Sequence, residues 1–283
     1  MKSGMQMIFV LGFVLAMAAG LTFAQPAGSE AQPYINIADP TIQTLHNGDT
    51  VYVGVIGPGQ TIPVRFDAIT TSGGKFGVGG RWDYIEVTAV PQGWKGFNSQ
   101  LHENPLQINV KADPLAPEGN YSVIATVVDE NNGDLMGNLT LNLVFTVSHE
   151  VYSYTVYPEH ITVGAYQPAR FHININNMGN APDTFVISTE GINTWTFKKT
   201  VYVPPKDSRE VIYEVVGNDE ETYSLTILIK SESTPLLQGS KNVTVDVKSD
   251  LRADYKSIVN GMLIFPITES TLYAFLGLLS NAI

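Results

Sequence analysis

Ala169-Arg170-Phe171-His172-Ile173-Asn174-Ile175-Asn176 alternates apolar and polar side chains and runs directly into Asn177-Met178-Gly179-Asn180-Ala181-Pro182-Asp183-Thr184-Phe185. Successive side chains of an extended chain point to opposite faces. A period of two therefore places Ala169, Phe171, Ile173 and Ile175 on one buried face and the polar residues in water. The Asn/Gly/Pro cluster then supplies a turn, and Phe185 drops an aromatic into the core from the next strand. A strand with one wet face belongs to an antiparallel sheet packed against a second layer.

The same period recurs on both sides of this stretch. Leu141, Leu143, Phe145 and Val147 alternate with polar residues, as do Tyr223, Leu225, Ile227 and Ile229, then Val243, Val245 and Val247. Strand-sized runs return about every 8–12 residues, the spacing of a β-sandwich. Residues 129–134, with Asn132-Gly133 inside, separate a strand around 121–128 from one around 139–147, because both residues tolerate the positive φ of a hairpin turn. Residues 177–182 and 217–221 punctuate the second half in the same way, and no helical period is sustained between Pro33 and Lys248. The predicted fold is all-β: two tandem immunoglobulin-like antiparallel β-sandwiches over 34–148 and 151–248, followed by a hydrophobic, helical tail over 249–283. The boundary falls at 148–150. The halves share an architecture without aligning obviously, and each is expected to fold alone.

Residues 151–249 resemble the NPCBM-associated "NEW" domain of some α-galactosidases and the wider CARDB-like immunoglobulin-fold group of archaeal and bacterial surface proteins. The carrying residues are the strand 171–176 with the Asn-x-Gly-x-x-x-Asp-Thr-Phe run after it, then Trp195, Val203-Pro204-Pro205 and Tyr223-Ser224-Leu225. Pro91-Gln92-Gly93-Trp94 and Ala116-Pro117-Glu118-Gly119-Asn120-Tyr121 in the first half are more weakly similar to the same group. The resemblance implies a sandwich and is nearly silent on activity, since such domains accompany many activities.

The N-terminus reads as an export signal. Lys2 is followed by an apolar stretch from Met7 to Ala19, and Thr22-Phe23-Ala24 puts small residues at a cleavage site. A signal peptide over 1–24 and a linker over 25–33 are expected. An uncleaved membrane helix is the competing reading, and both place the remaining chain outside. The formal charge is -11 and no run of Lys or Arg occurs, which argues against nucleic acid as a partner. The chain has no cysteine, so disulfides, thiol catalysis and thiolate metal sites are excluded.

No catalytic motif occurs: there is no Gly-x-Ser-x-Gly, His-Glu-x-x-His or Walker loop. The five histidines (His46, His102, His149, His160, His172) are scattered, and His172 falls on the polar face of its strand. Gly73-Gly74-Lys75-Phe76-Gly77-Val78-Gly79-Gly80 lacks the spacing and the following helix of a phosphate cradle and is expected to be a long mobile loop. Residues 129–134 carry oxygen ligands of the kind calcium takes but miss EF-hand spacing, so no cofactor is assigned. Asp83, Glu86, Asp113 and Glu118 are carboxylates that sequence cannot pair for glycosidic chemistry. Trp82, Trp94 and Phe97 lie in turn-rich stretches; the favoured reading of the two indoles is that they plug the core, and the alternative is that exposed rings among the three stack on a saccharide. Three sequons, starting at Asn120, Asn138 and Asn242, are candidate glycosylation sites.

In the tail, the run from Gly261 to Pro266 and the run from Thr271 to Leu279 are apolar, with Thr268-Glu269-Ser270 between them. Thirteen helical residues reach about 20 Å, short of a bilayer core near 30 Å. The longer span contains Pro266 and Glu269 and lacks a following Lys or Arg. Phe265, Leu272, Tyr273, Phe275, Leu276 and Leu279 are the expected contacts with a membrane interface, with other envelope proteins or with a second copy. The expectation is a non-catalytic exported protein of the cell envelope, extracellular or on the cell surface, acting by binding, spacing or assembly. The alternatives are a carbohydrate-binding accessory module and a subunit of an extracellular filament or surface layer.

Overall fold

The computed structural model describes residues 32–130, 136–191 and 197–248. The expected tail and signal peptide, and Trp195, lie outside them. The described chain is strand, turn and loop, in two sandwiches that meet near residue 150.

The first half contains β1 (Ile35–Asp39), β2 (Gln43–Leu45), β3 (Thr50–Ile56), β4 (Thr61–Phe66), β5 (Ile69–Thr70), β6 (Gly80–Arg81), β7 (Tyr84–Ala89), β8 (Lys95–Phe97), β9 (Leu106–Lys111), β10 (Gly119–Val128) and β11 (Asn138–Val147). One sheet runs β2-β1-β4-β9-β8 and faces a second, β3-β11-β10-β7, while β5 and β6 form a small ribbon. The second half contains β12 (Tyr152–Tyr157), β13 (His160–Val163), β14 (Pro168–Asn177), β15 (Asp183–Glu190), β16 (Lys199–Val203), β17 (Ser208–Val216), β18 (Thr222–Ser231) and β19 (Gln238–Val247). Its sheets are β12-β14-β17 and β13-β19-β18-β15-β16. Burial alternates along these strands as the period-two pattern demands: β14 buries Ala169, Phe171, Ile173 and Ile175 and turns Arg170, His172 and Asn174 to solvent.

Pairing is not antiparallel throughout, which corrects the sequence expectation. β3 runs parallel to β11, and β13 runs parallel to β19. In each half the N-terminal segment is divided between the layers. Its first part pairs antiparallel with one sheet (β1 with β4, β12 with β14), and after a bend its second part lies beside the last strand of the other sheet. That crossover leaves both strands running the same way and ties the first and last segments of each domain together.

The two halves share a plan that differs at one edge: β8 pairs with β9, whereas β16 pairs with β15 in the opposite layer. Near the start of β10 the Tyr121 hydroxyl donates to the Pro117 carbonyl at 2.9 Å, and near the start of β18 the Tyr223 hydroxyl donates to the Asp219 carbonyl at 3.3 Å. A tyrosine at the start of the penultimate strand, bonded to backbone four residues upstream, is a corner that recurs in immunoglobulin-like sandwiches. Gly57-Pro58-Gly59-Gln60 and Gly164-Ala165-Tyr166-Gln167 also correspond. Each turn closes with the glutamine N–H donating to the glycine carbonyl, and the third residue takes φ of 68° in one and 61° in the other.

Trp82 and Trp94 are 0% and 5% exposed and belong to the first core. Trp94 packs on Tyr121 and Phe145 with ring centroids 5.0 and 5.9 Å away, and the Trp82 indole N–H donates to the Tyr34 carbonyl at 3.0 Å. Neither presents a ring to solvent; both indoles sit as core plugs, and the stacking alternative has no exposed indole to use. Phe97 is 50% exposed, on the edge strand β8.

Candidate functional site: the joint between the sandwiches

The Asn177–Asp183 turn, recognised from sequence as a fold motif, is the surface on which the domains lock. Asn177 is buried and organises the turn from within. Its amide nitrogen donates to the Ala181 carbonyl at 2.8 Å and the Val203 carbonyl at 3.3 Å, and its oxygen accepts the Gly179 N–H at 2.9 Å. Held this way, Asn180 projects onto the end of β3. Its backbone N–H donates to the Val55 carbonyl at 2.7 Å, and its side-chain oxygen accepts the Val55 N–H at 3.0 Å. Both backbone groups of an edge residue are thereby satisfied across the domain boundary. Gly54 makes room for it, since a Cβ there would stand 2.5 Å from the Asn180 side-chain carbon. Ala181, two residues before β15, packs into the core of the first sandwich.

Beside this contact lies a buried polar network. Asp183 is 3% exposed and Gln60 1%. One carboxylate oxygen of Asp183 accepts the Gln60 amide at 2.9 Å and the Ser231 hydroxyl at 2.8 Å. The other accepts the Ser233 hydroxyl and the Thr184 N–H, both at 2.7 Å. Four neutral donors replace the water that the carboxylate gave up, so it stays buried with no cation in contact among the described residues. Gln60 is held in turn, because its oxygen accepts the Gly57 N–H at 2.7 Å. Around the network, Thr234 donates to the Pro114 carbonyl at 2.5 Å, and Val151 and Leu237 close over Gly57. Gly59 sits so near the Ser233 carbonyl that a Cβ would be 2.1 Å away. Burial pushes the Tyr152 phenol up to about 12, and the neighbouring Tyr154 and Asp183 push the same way.

The carboxylate is saturated by four donors and closed to solvent. The joint can fix one sandwich on the other. Two of its members, Gln60 and Ser233, had no signal in the sequence beyond the repeated Gly-x-x-Gln turn.

The remaining candidate residues are dispersed. Each of the five histidines lies within 4.0 Å of its own carboxylate, the closest pair being His172 and Glu210 at 2.6 Å. Among the described residues no group of three or more His, Asp or Glu could hold a metal. The glycine-rich loop is drawn in by the β5–β6 ribbon and a Gly73–Val78 bridge, leaving Phe76 exposed at its tip with the Lys75 ammonium 5.4 Å from the ring. Asp83 is buried and accepts the Glu130 N–H at 2.7 Å, with the His102 imidazole 3.1 Å away, so it is a structural anchor of the loop ends. Residues 131–135, most of the oxygen-rich turn considered for calcium, lie outside the described residues. So do Phe265, Leu272, Tyr273, Phe275, Leu276 and Leu279.

No protein-family model and no characterised relative matches the chain. Among solved structures it is similar to fibronectin(III)-like modules of Clostridium thermocellum CbhA, at 9% identity over 76% of this chain and 94% of that one, with a TM-score of 0.25. It is similar to a chimeric titin Z1Z2 at 9% identity over 78% of this chain and 100% of that one, with a TM-score of 0.35. A third likeness, to a β-glucosidase from Listeria innocua in complex with glucose, has 8% identity and a TM-score of 0.25 and covers 34% of this chain but only 16% of that one. At such scores the immunoglobulin-like plan stands on the strand order and the paired tyrosine corners described above.

Proposed function

We propose that this chain is a non-catalytic exported protein of the cell envelope that serves as a rigid two-module spacer. The second module is read as a NEW/CARDB-like surface domain. The observation that carries the proposal is the joint: a saturated buried carboxylate and a two-way backbone clasp hold the domains in one orientation. Strand direction supports a spacing role. β11 runs from the outer end of the first sandwich toward the joint, and β19 runs from the joint toward the outer end of the second. Each has ten residues, or about 33 Å at the rise of an extended chain. Pro33 packs beside the glycine-rich loop at the outer end of the first domain, whereas Lys248 leaves the outer end of the second. The segment 261–283 then contacts the membrane interface or a partner subunit and holds the first domain outward. The saccharide-binding alternative has lost both indoles.

A cysteine-free chain makes the test direct, since one Ile42→Cys substitution introduces a single label site on an 89% exposed side chain. Intact cells carrying the full chain should react with an impermeant maleimide. Cells carrying a chain without 261–283 should release a folded, labelled protein to the medium. A full chain protected from the reagent, or a truncated chain that fractionates like the full one, sinks the proposal.

A further inference from the structure

The outer face of the β3-β11-β10-β7 sheet differs from the rest of the surface. Among the outward-turned side chains of these four strands Glu86 alone is charged. The β12-β14-β17 face, by contrast, carries Arg170, His172, Glu210 and Glu214. In place of charge, the first face has a network of hydroxyls and amides. Thr146 donates to the Asn120 side-chain oxygen at 2.6 Å, Asn142 donates to Thr50 at 3.2 Å, and Ser122 donates to Asn142. Tyr52, 54% exposed, lies opposite Val144 in the register and adds an apolar floor. On a chain of formal charge -11, this exposed face is nearly neutral.

Asn120-Tyr121-Ser122 lies on β10 and Asn138-Leu139-Thr140 on β11, so both belong to this face. In a strand, residues i and i+2 share a face. Each asparagine therefore points outward together with its hydroxyl residue, while Leu139 is buried and Tyr121 packs against the core. Asn242-Val243-Thr244 repeats the arrangement on β19, with Val243 buried. Asn120 and Asn242 use their side-chain oxygens as acceptors, from Thr146 and Thr226. These bonds engage the oxygens and not the amide nitrogens, the atoms to which a glycan is attached.

We propose that Asn120 and Asn138 carry N-linked oligosaccharides that coat this sheet face, and that Asn242 carries a third on the matching sheet of the second sandwich. The co-reactant is a lipid-phosphate-linked oligosaccharide. The asparagine amide nitrogen forms a bond to the anomeric carbon, the bond from that carbon to the phosphate oxygen breaks, and the lipid phosphate leaves with the electron pair. The amide loses one proton to a base of the transferase. The neutral hydroxyl and amide network gives the attached sugars hydrogen-bonding partners without a charge to desolvate. This rests on the export reading above.

The test is peptide mass mapping of the full chain isolated from its own cells. Cleavage after glutamate separates 119–130, 131–150 and 233–269, one sequon in each. Each peptide should be heavier than its sequence by an oligosaccharide. Ser122→Ala should remove the added mass at Asn120 alone, and Thr140→Val that at Asn138 alone, both without touching the asparagine. A chain processed to Gln25 whose 119–130 and 131–150 peptides have bare masses overturns the proposal while leaving export intact. A chain that retains residues 1–24 inside the cell with bare peptides overturns both. Bare peptides in a dimer that Tyr52→Arg converts to monomer overturn it in favour of contact between copies through this face.

Discussion

Gln60→Ala tests the joint most sharply, because one truncation breaks the network at its only glutamine. The side chain is 1% exposed, donates to Asp183 and accepts from Gly57. Removing it takes one hydrogen bond from a buried carboxylate, roughly 1.5–3 kcal/mol, and leaves a buried N–H without a partner, roughly another 1–3 kcal/mol. The expected loss is about 2.5–6 kcal/mol, which moves a urea midpoint by roughly 1–3 M at a slope of roughly 2–3 kcal/mol/M. Gln43→Ala on the exposed edge strand β2 should move it by less than about 0.5 kcal/mol in the same assay. Equilibrium denaturation of the mature chain, followed by tryptophan and tyrosine fluorescence, reads both. Gln60→Glu adds the sign. The new carboxyl can still accept the Gly57 N–H but faces Asp183, and two carboxylates in contact favour a shared proton. That variant should be the less stable of the two at pH 7 and should recover relative to the native chain as pH falls toward 5. A Gln60→Ala loss under about 1 kcal/mol would refute the reasoning. So would a native chain whose domains melt with the same midpoints together and apart, because the joint would then contribute nothing to either.

Gly59→Ala, forced to keep φ near 68° with a Cβ 2.1 Å from the Ser233 carbonyl, should open the joint. Label-to-label distances from Ile42 to Lys248 should change from one narrow population to a broad one; an unchanged distribution would count against a rigid contact. Tyr121→Phe and Tyr223→Phe should each cost about 1 kcal/mol, the value of a neutral hydrogen bond, and calorimetry in which either change is silent would deny that corner its structural role. Trp94→Ala should lose about 3–5 kcal/mol as a core truncation, with no selective loss of binding on a saccharide array. The Tyr152 phenol is raised to about 12 in the folded chain against its ordinary value of 10.0. Its contribution is therefore fully present below pH 10 and lost as pH climbs from about 10 toward 12. Absorbance titration should show a phenol ionising near pH 12 that Tyr152→Phe removes, and the same substitution should flatten the alkaline loss of stability.

The alternating runs by themselves determined which residues are strand and which face of each strand is buried. A period of two depends only on local geometry, so Phe171, Ile173, Leu141, Leu143 and Val245 could be placed in cores without a partner in view. The same rhythm set the expected boundary near residue 150. The repeat of Tyr-Ser-Val at 121–123 and Tyr-Ser-Leu at 223–225, and of the Gly-x-x-Gln turns, was present in the sequence too. It is too short to stand out until the corners are seen in space. Only the tertiary structure decided what those residues do. Trp82 and Trp94 have the same local context whether a ring faces solvent or a core, and packing from distant strands put them inside. The parallel pairings of β3 and β13 depend on which layer the chain enters after a bend, which local pattern does not specify. Gln60 and Asp183 are 123 positions apart. Each is an ordinary polar residue in a turn until the other domain removes its water, and that desolvation, not any property of the turns alone, makes them the lock between the sandwiches.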